Sequence, residues 1–210
     1  MFTGIIKNIG VILNINNYNY GKRFIIETDK NFIEKLEKGI TSVSINGACH
    51  TVEDVNNTEF SVYSSFETIN KTNLKFLQKE SNINLELPVT LSTFLDGHIV
   101  LGHIDGLSEI ISISKKGEAY KFTFSIDNSL KKYLVDKDSI AIDGISLTIF
   151  DIRENTFNVA VIPETFNKTT LKYKKIGDFV NIEINIFSKY TYNLLKEKFL
   201  DNKILEFISE

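Results

Sequence analysis

Residues 39–54 read GITSVSINGACHTVED and residues 136–151 read DKDSIAIDGISLTIFD, one pattern met twice at an offset of 97. The correspondence continues, FETINKTNLK at 66–75 matching PETFNKTTLK at 163–172. Between residues 42 and 75 the copies share 14 identities without a gap: Ser42, Ile45, Gly47, Thr51, Asp54, Phe60, Val62, Glu67, Thr68, Asn70, Lys71, Thr72, Leu74 and Lys75. Their starts match more weakly, FTGII at 2–6 against VLGHI at 100–104, at an offset of 98. Self-similarity of this kind outranks any single motif. A period near 97 is too long for a solenoid or propeller unit, so each copy is expected to be a domain with its own core. The expected units are 1–97, ending at Asp96–Gly97, then 98–187, and a tail at 188–210 outside the repeat.

Within each copy the apolar residues alternate: Val43 and Ile45, Ile140 and Ile142, and Phe122, Phe124 and Ile126. That period of two marks half-buried strands, and many short runs punctuated by Gly, Asn and Asp predict a small barrel or sandwich. An all-β chain of two similar barrels in tandem follows. The composition agrees, with 30 Ile and 16 Phe but only 4 Ala, since branched and aromatic side chains suit a pleated surface. Short helices are expected at residues 31–36, capped by Asp29, and at 129–134, capped by Asp127 or Asn128. In the tail, Tyr192, Leu195 and Phe199 recur at helical spacing beside Leu194, Leu200 and Ile204, predicting an amphipathic helix over 188–207. Its apolar stripe is buried either on its own barrel or against other subunits.

A net charge of -3 gives no basic field for nucleic acid. No apolar run approaches a membrane span, and the first residues, MFTGIIK, lack the plan of a signal peptide. The single cysteine, Cys49, excludes an internal disulfide and fits a reducing compartment. The expected location is the cytoplasm.

Reactive groups are few. Histidine occurs only at 50, 98 and 103. Cys49 and His50 are adjacent on a strand and point to opposite faces, and His98 and His103 differ by five, so no metal site is expected. Gly102 and Gly106 do not open a dinucleotide fold, which lowers NAD or ATP use. The duplicated polar positions are more informative. Cys49 and Thr51 share a strand face, Ser146 and Thr148 occupy the equivalent places, and each pair follows a glycine (Gly47, Gly144) and precedes a Glu–Thr turn (Glu67–Thr68, Glu164–Thr165). Two bowls lined by small hydroxyl or thiol groups, glycine backbone and one acid suit two flat heterocycles rich in donors and acceptors.

The ordered motifs MFTGII at 1–6, INGAC at 45–49, GHIVLGHIDG at 97–106, IDGISLT at 142–148 and IPET at 162–165 resemble the riboflavin synthase family of the alpha-chain type, and the similarity extends over essentially the whole chain. The resemblance implies two six-stranded Greek-key barrels and a C-terminal helix that assembles a homotrimer. It also implies a cofactor-free dismutation, in which one 6,7-dimethyl-8-ribityllumazine gives a four-carbon unit to another, yielding riboflavin and 5-amino-6-ribitylaminouracil. The active site of the family lies between the N-terminal barrel of one subunit and the C-terminal barrel of its neighbour, and association with lumazine synthase is a further partnership it suggests. Because the substrate supplies its own electron sink, a shortage of strong catalytic groups is no obstacle.

Carried onto this chain, the resemblance implies His103, Ser146 and Thr148 as the proton-handling cluster at one ring, Cys49 and Thr51 at the other, and Ser42 and Asp143 in support. Ring edges would meet Gly4, Ile5, Ile6, Leu101 and Gly102, together with Ala48 to His50 and Ser146, Leu147 and Thr148. Ribityl hydroxyls would meet the stretches Val62, Ser64, Ser65, Phe66, Glu67, Thr68 and Val161, Ile162, Pro163, Glu164, Thr165, with Lys137 helping at the second site. The chain departs from the family at His50, where Leu is general, at Asp96, where Gly is common, and at Asn185, where Asp is frequent and an amide cannot titrate. His50 is expected to face away from the ring. Relatives that hold a lumazine or flavin as a fluorophore without turnover have typically lost the pocket residues of one barrel. Both copies keep theirs here, which favours the enzyme. A flavoprotein reductase would need a nucleotide domain for which the chain has no room.

Overall fold

The computed structural model describes residues 1–200. Its first sheet comprises β1 (Asn8–Tyr18), β2 (Gly21–Glu27), β3 (Ser42–Ile45), β4 (Ala48–Val55), β5 (Glu59–Ser65) and β6 (Asn82–Glu86). The second comprises β7 (Gly106–Lys116), β8 (Ala119–Ser125), β9 (Ser139–Ile142), β10 (Ile145–Phe150), β11 (Thr156–Val161) and β12 (Phe179–Ile184). Each closes into an antiparallel barrel of six strands, ordered β1-β2-β5-β4-β3-β6 and β10-β11-β8-β7-β12-β9. Renumbered within its own copy, the second order is the same ring as the first. Closure removes the exposed edges that an open sheet of this size would leave.

The alternation read from the sequence becomes the barrel interiors. Ile12, Phe24, Ile26, Val43, Ile45, Val52, Phe60, Val62, Ile83 and Leu85 fill the first, and their repeat counterparts, from Ile110 and Phe122 to Val180 and Ile182, fill the second. The hairpins β3–β4 and β9–β10 turn on two residues with positive φ, Asn46–Gly47 and Asp143–Gly144. Asn-Gly and Asp-Gly are the dipeptides that such a turn selects. Both turns meet at the junction of the barrels, where a Cβ on Gly47 would lie 2.7 Å from the Gly144 nitrogen.

The capped short helices are present as α1 (Lys30–Ile33), with Asp29 accepting from the Phe32 N–H, and α3 (Asn128–Lys131), with Asp127 accepting from the Ser129 N–H. The stretches read as Glu–Thr turns are helices too: α2 (Phe66–Lys71) starts at a Ser65 cap and α4 (Pro163–Lys168) at a first-turn proline. The tail forms α5 (Ile186–Leu200), and the expected continuation to residue 207 lies outside the described residues. Asn185 caps it, accepting from the Phe187 N–H at 3.1 Å while donating to Asp138 at 2.7 Å. One face is tied to the second barrel by Lys189–Asp105 at 2.8 Å and Tyr133–Tyr192 at 5.0 Å between centroids. Phe187, Tyr190, Leu194 and Leu195 stay exposed. Tyr192 thus packs on its own barrel, one of the two expectations for the stripe, while Leu194 and Leu195 remain exposed.

Candidate active site

The barrels are joined by exchange of their leading segments. Phe2 and Val100 bridge each other, N–H to carbonyl, at 2.7 and 3.1 Å. The carboxylate of Glu86 on β6 accepts the N–H groups of Thr3 (2.7 Å) and Gly4 (3.1 Å), and Glu183 on β12 accepts those of Leu101 (2.6 Å), Gly102 (2.9 Å) and His103 (3.1 Å). Burial pushes both carboxyls above the ordinary range, and these N–H bonds pull the other way. Held in this manner, each segment reaches over to the other barrel. The Gly4 carbonyl accepts from Ser146 N–H at 2.8 Å, and the Gly102 carbonyl from Cys49 N–H at 2.9 Å.

Two cavities result, related by the repeat. The larger, about 610 Å³, is lined by Gly4, Ile5, Ile6, Ile145 and Ser146 and rimmed by Glu164, Thr165, Lys168 and Thr169. The smaller, about 250 Å³, has the counterparts Gly102, His103, Ile104, Ala48 and Cys49, rimmed by Glu67, Thr68, Lys71 and Thr72. In both rims the acid pairs with the lysine one helical turn on, Glu67–Lys71 at 2.7 Å and Glu164–Lys168 at 2.5 Å. An apolar floor, a small hydroxyl or thiol beside exposed backbone, and a charged rim can seat a flat polar ring with a hydroxylated tail.

The structure divides the residues picked out in the sequence. It brings Ser146 together with Gly4, Ile5, Ile6, Glu164 and Thr165, and Cys49 with Ala48, Gly102, His103, Glu67 and Thr68. Within one chain His103 follows Gly102 into the Cys49 cavity, and the histidine on Ser146 is His98, whose Nδ1 lies 2.7 Å from Ser146 Oγ. Thr51 lies in another depression, with Arg23, Lys38, Glu53 and Asp54, and Thr148 lines neither cavity. A step of two residues keeps the face of a strand but moves about 6.6 Å along it. Ser42 pairs with Thr51 across β3–β4 and shares its displacement.

Other candidates point inward. Val62, Leu147 and Val161 are core residues, and Ser64 and His50 bond to each other inside the first barrel, His50 Nε2 to Ser64 Oγ at 2.6 Å. His50 points into the barrel and does not line the Cys49 cavity, and burial pushes its pKa down to about 4. Ser65, Phe66, Ile162 and Pro163 form the entrances to α2 and α4, Leu101 is held by Glu183, and Lys137 is an exposed residue with positive φ. Asp143 is wholly buried at the barrel junction, accepting from Asn73 (2.8 Å) and Asn181 (2.7 Å) and pairing with Lys174 at 3.1 Å. The tight turn at Asp143–Gly144 tucks the carboxylate into this junction, and it lines neither cavity. Sequence reading missed His98, Glu86, Glu183 and the rim lysines. Lys71 and Lys168 were visible as a repeat identity, whereas His98 has no periodic signal.

Among the described residues no cluster could hold a metal ion, and no helix is long and apolar enough to cross a membrane.

Fold and site together define a tandem barrel protein with two related ligand half-sites. The lumazine binding domain family model matches residues 3–88 and again 101–185. The chain is 38% identical over 210 residues to the riboflavin synthase of Bacillus subtilis (strain 168), covering all of this chain and 96% of that one. It is 36% identical to the riboflavin synthase of Schizosaccharomyces pombe, with 96% and 97% covered. Among solved structures, LumP complexed with riboflavin superposes with a TM-score of 0.82 at 26% identity, over 88% of this chain and 99% of that one; LumP complexed with 6,7-dimethyl-8-(1'-D-ribityl) lumazine gives 0.80. The chain belongs to the lumazine-binding domain family and, within it, to the riboflavin synthases.

Proposed function

We propose that the protein converts two molecules of 6,7-dimethyl-8-ribityllumazine into one riboflavin and one 5-amino-6-ribitylaminouracil by transfer of a four-carbon unit, with no added cofactor. The observation that carries this reading is that neither half-site is degenerate. Each keeps a positive-φ glycine, a hydroxyl or thiol beside it, and the Glu–Thr–Lys–Thr rim. A dismutation needs two seats for one substrate, and seating both rings in register can supply about 7 to 11 kcal/mol of the barrier. Backbone groups at Gly4 and Gly102 would read ring edges, the rim acids would take ribityl hydroxyls, and Ser146, Cys49 and the nearby histidines would relay protons.

As the family resemblance implies, productive pairing would use the N-terminal barrel of one subunit and the C-terminal barrel of the next. The exposed face of α5 supports a homotrimer. Cytoplasmic location and association with lumazine synthase complete the reading. Purified protein incubated with the lumazine alone is expected to produce riboflavin, followed by its absorbance, while sedimentation reports a trimer. Tight lumazine binding without riboflavin would favour a fluorophore carrier, the reading that the likeness to LumP supports.

A further inference from the structure

We propose that His98 positions the hydroxyl of Ser146 for the ligand of the second half-site. The inference rests on the riboflavin synthase reading of these cavities. Its basis is the 2.7 Å contact between His98 Nδ1 and Ser146 Oγ, together with the way the backbone holds the ring there. The His98 N–H donates to the Thr3 carbonyl at 3.1 Å, and Thr3 is itself held by Glu86. Gly97 beside it passes so close beneath Ser146 that an added Cβ would stand 2.9 Å from the Ser146 Cβ. The ring and the hydroxyl are therefore fixed by the same segment.

A lone serine hydroxyl turns freely about its C–O bond. Engaged by an imidazole nitrogen, it presents its remaining donor or acceptor sites in one direction. Burial lowers the His98 pKa, opposed by Asp138, and keeps the ring neutral at neutral pH. The first half-site is built on the same frame yet is chemically unlike. Cys49 replaces Ser146, and its cavity is lined by His103, whose counterpart in the Ser146 cavity is Ile5.

The test is a double-mutant cycle on the full-length protein, read as kcat/KM for lumazine turnover and as riboflavin affinity by fluorescence quenching. His98→Ala is expected to lower kcat/KM at least tenfold and riboflavin affinity at least threefold, with KM raised less than kcat falls. His98→Asn, which returns an amide near the Nδ1 position, restores most of the loss, and His98→Gln, whose amide lies further out, does not. In a Ser146→Ala background, His98→Ala adds less than twofold to either quantity. Full activity of His98→Ala, or an undiminished loss in the Ser146→Ala background, overturns the proposal. Should His98→Ala fail to fold, the Asn and Gln variants carry the same comparison. The wild-type turnover assay tests the underlying reading by itself, and the affinity cycle keeps its meaning even if that assay is negative.

Discussion

Gly102 and Cys49 lie against each other across the two barrels: the Cys49 N–H donates to the Gly102 carbonyl at 2.9 Å, and a Cβ on Gly102 would come within 2.5 Å of the Cys49 Cβ. Gly4 stands in the same relation to Ser146, with 2.7 Å between the corresponding carbons. Both glycines have positive φ, +82° and +77°, which L side chains rarely adopt. Gly102→Ala therefore has two faults, a strained backbone worth about 1 to 2 kcal/mol and a collision with the half-site it builds. The expected outcome is a loss of riboflavin affinity of at least tenfold in Gly4→Ala and in Gly102→Ala, measured by fluorescence quenching. Gly117→Ala, also at positive φ but with nothing within 4 Å of the added carbon, is expected to leave affinity unchanged.

Glu86 and Glu183 each hold a leading segment through backbone N–H groups, so Gln at either position turns one acceptor into a donor facing a donor. An unsatisfied buried group of this kind costs about 1 to 3 kcal/mol. Glu183→Gln should displace the segment over Cys49 and Glu86→Gln the segment over Ser146. Each variant is expected to weaken riboflavin binding by about tenfold while Tm falls by only a few degrees. Unchanged affinity in both would show that the segments keep their place without the carboxylates.

His50 and Ser64 form a polar pair inside the first barrel whose repeat counterparts, Leu147 and Val161, are apolar. The second barrel thus serves as an internal control. With a folded-state pKa near 4 against an ordinary value of 6.5, His50 is neutral in the folded protein across a range where the unfolded chain binds a proton. Above pH 6.5 neither state is charged there and the pair contributes no pH dependence. As pH falls from about 6.5 towards 4, the unfolded state is favoured by up to about 3 kcal/mol from this site. Urea melts between pH 7 and 4 should show the wild type losing more stability than His50→Leu/Ser64→Val, the difference opening within that window. Parallel curves would remove His50 as the source.

Much of the fold could be read before the structure. The interior positions follow from strict alternation, and Asn46–Gly47 and Asp143–Gly144 announce their own turns. Helices α2 and α4 could not be recognised, because six residues span less than two turns and set up no apolar period. The site was legible in its duplicated parts, Cys49 and Ser146 with Glu67 and Glu164. What pairs with them was not: Ser146 meets Gly4 through a contact 142 positions apart that no local pattern encodes. His98 carries no periodic signal, and its partner is a serine on β10, 48 positions along the chain.

Asp143 and Lys174 form an ion pair at the barrel junction, with the aspartate fully buried and the lysine 18% exposed. The first copy holds Asn46 and Leu77 at the equivalent places, an uncharged solution on the same frame. Asp143→Asn leaves the ammonium without its counter-charge, and breaking a buried pair from one side typically costs about 3 kcal/mol. Asp143→Asn/Lys174→Leu removes both charges and recreates the first copy's pair, so its stability is expected within about 1 kcal/mol of the wild type. The cycle, read by urea denaturation, should therefore show strong coupling between the two positions. Turnover per folded molecule is expected to stay within twofold of the wild type in the double variant. A large fall in kcat with stability preserved would instead assign Asp143 the supporting role in catalysis that the resemblance implies.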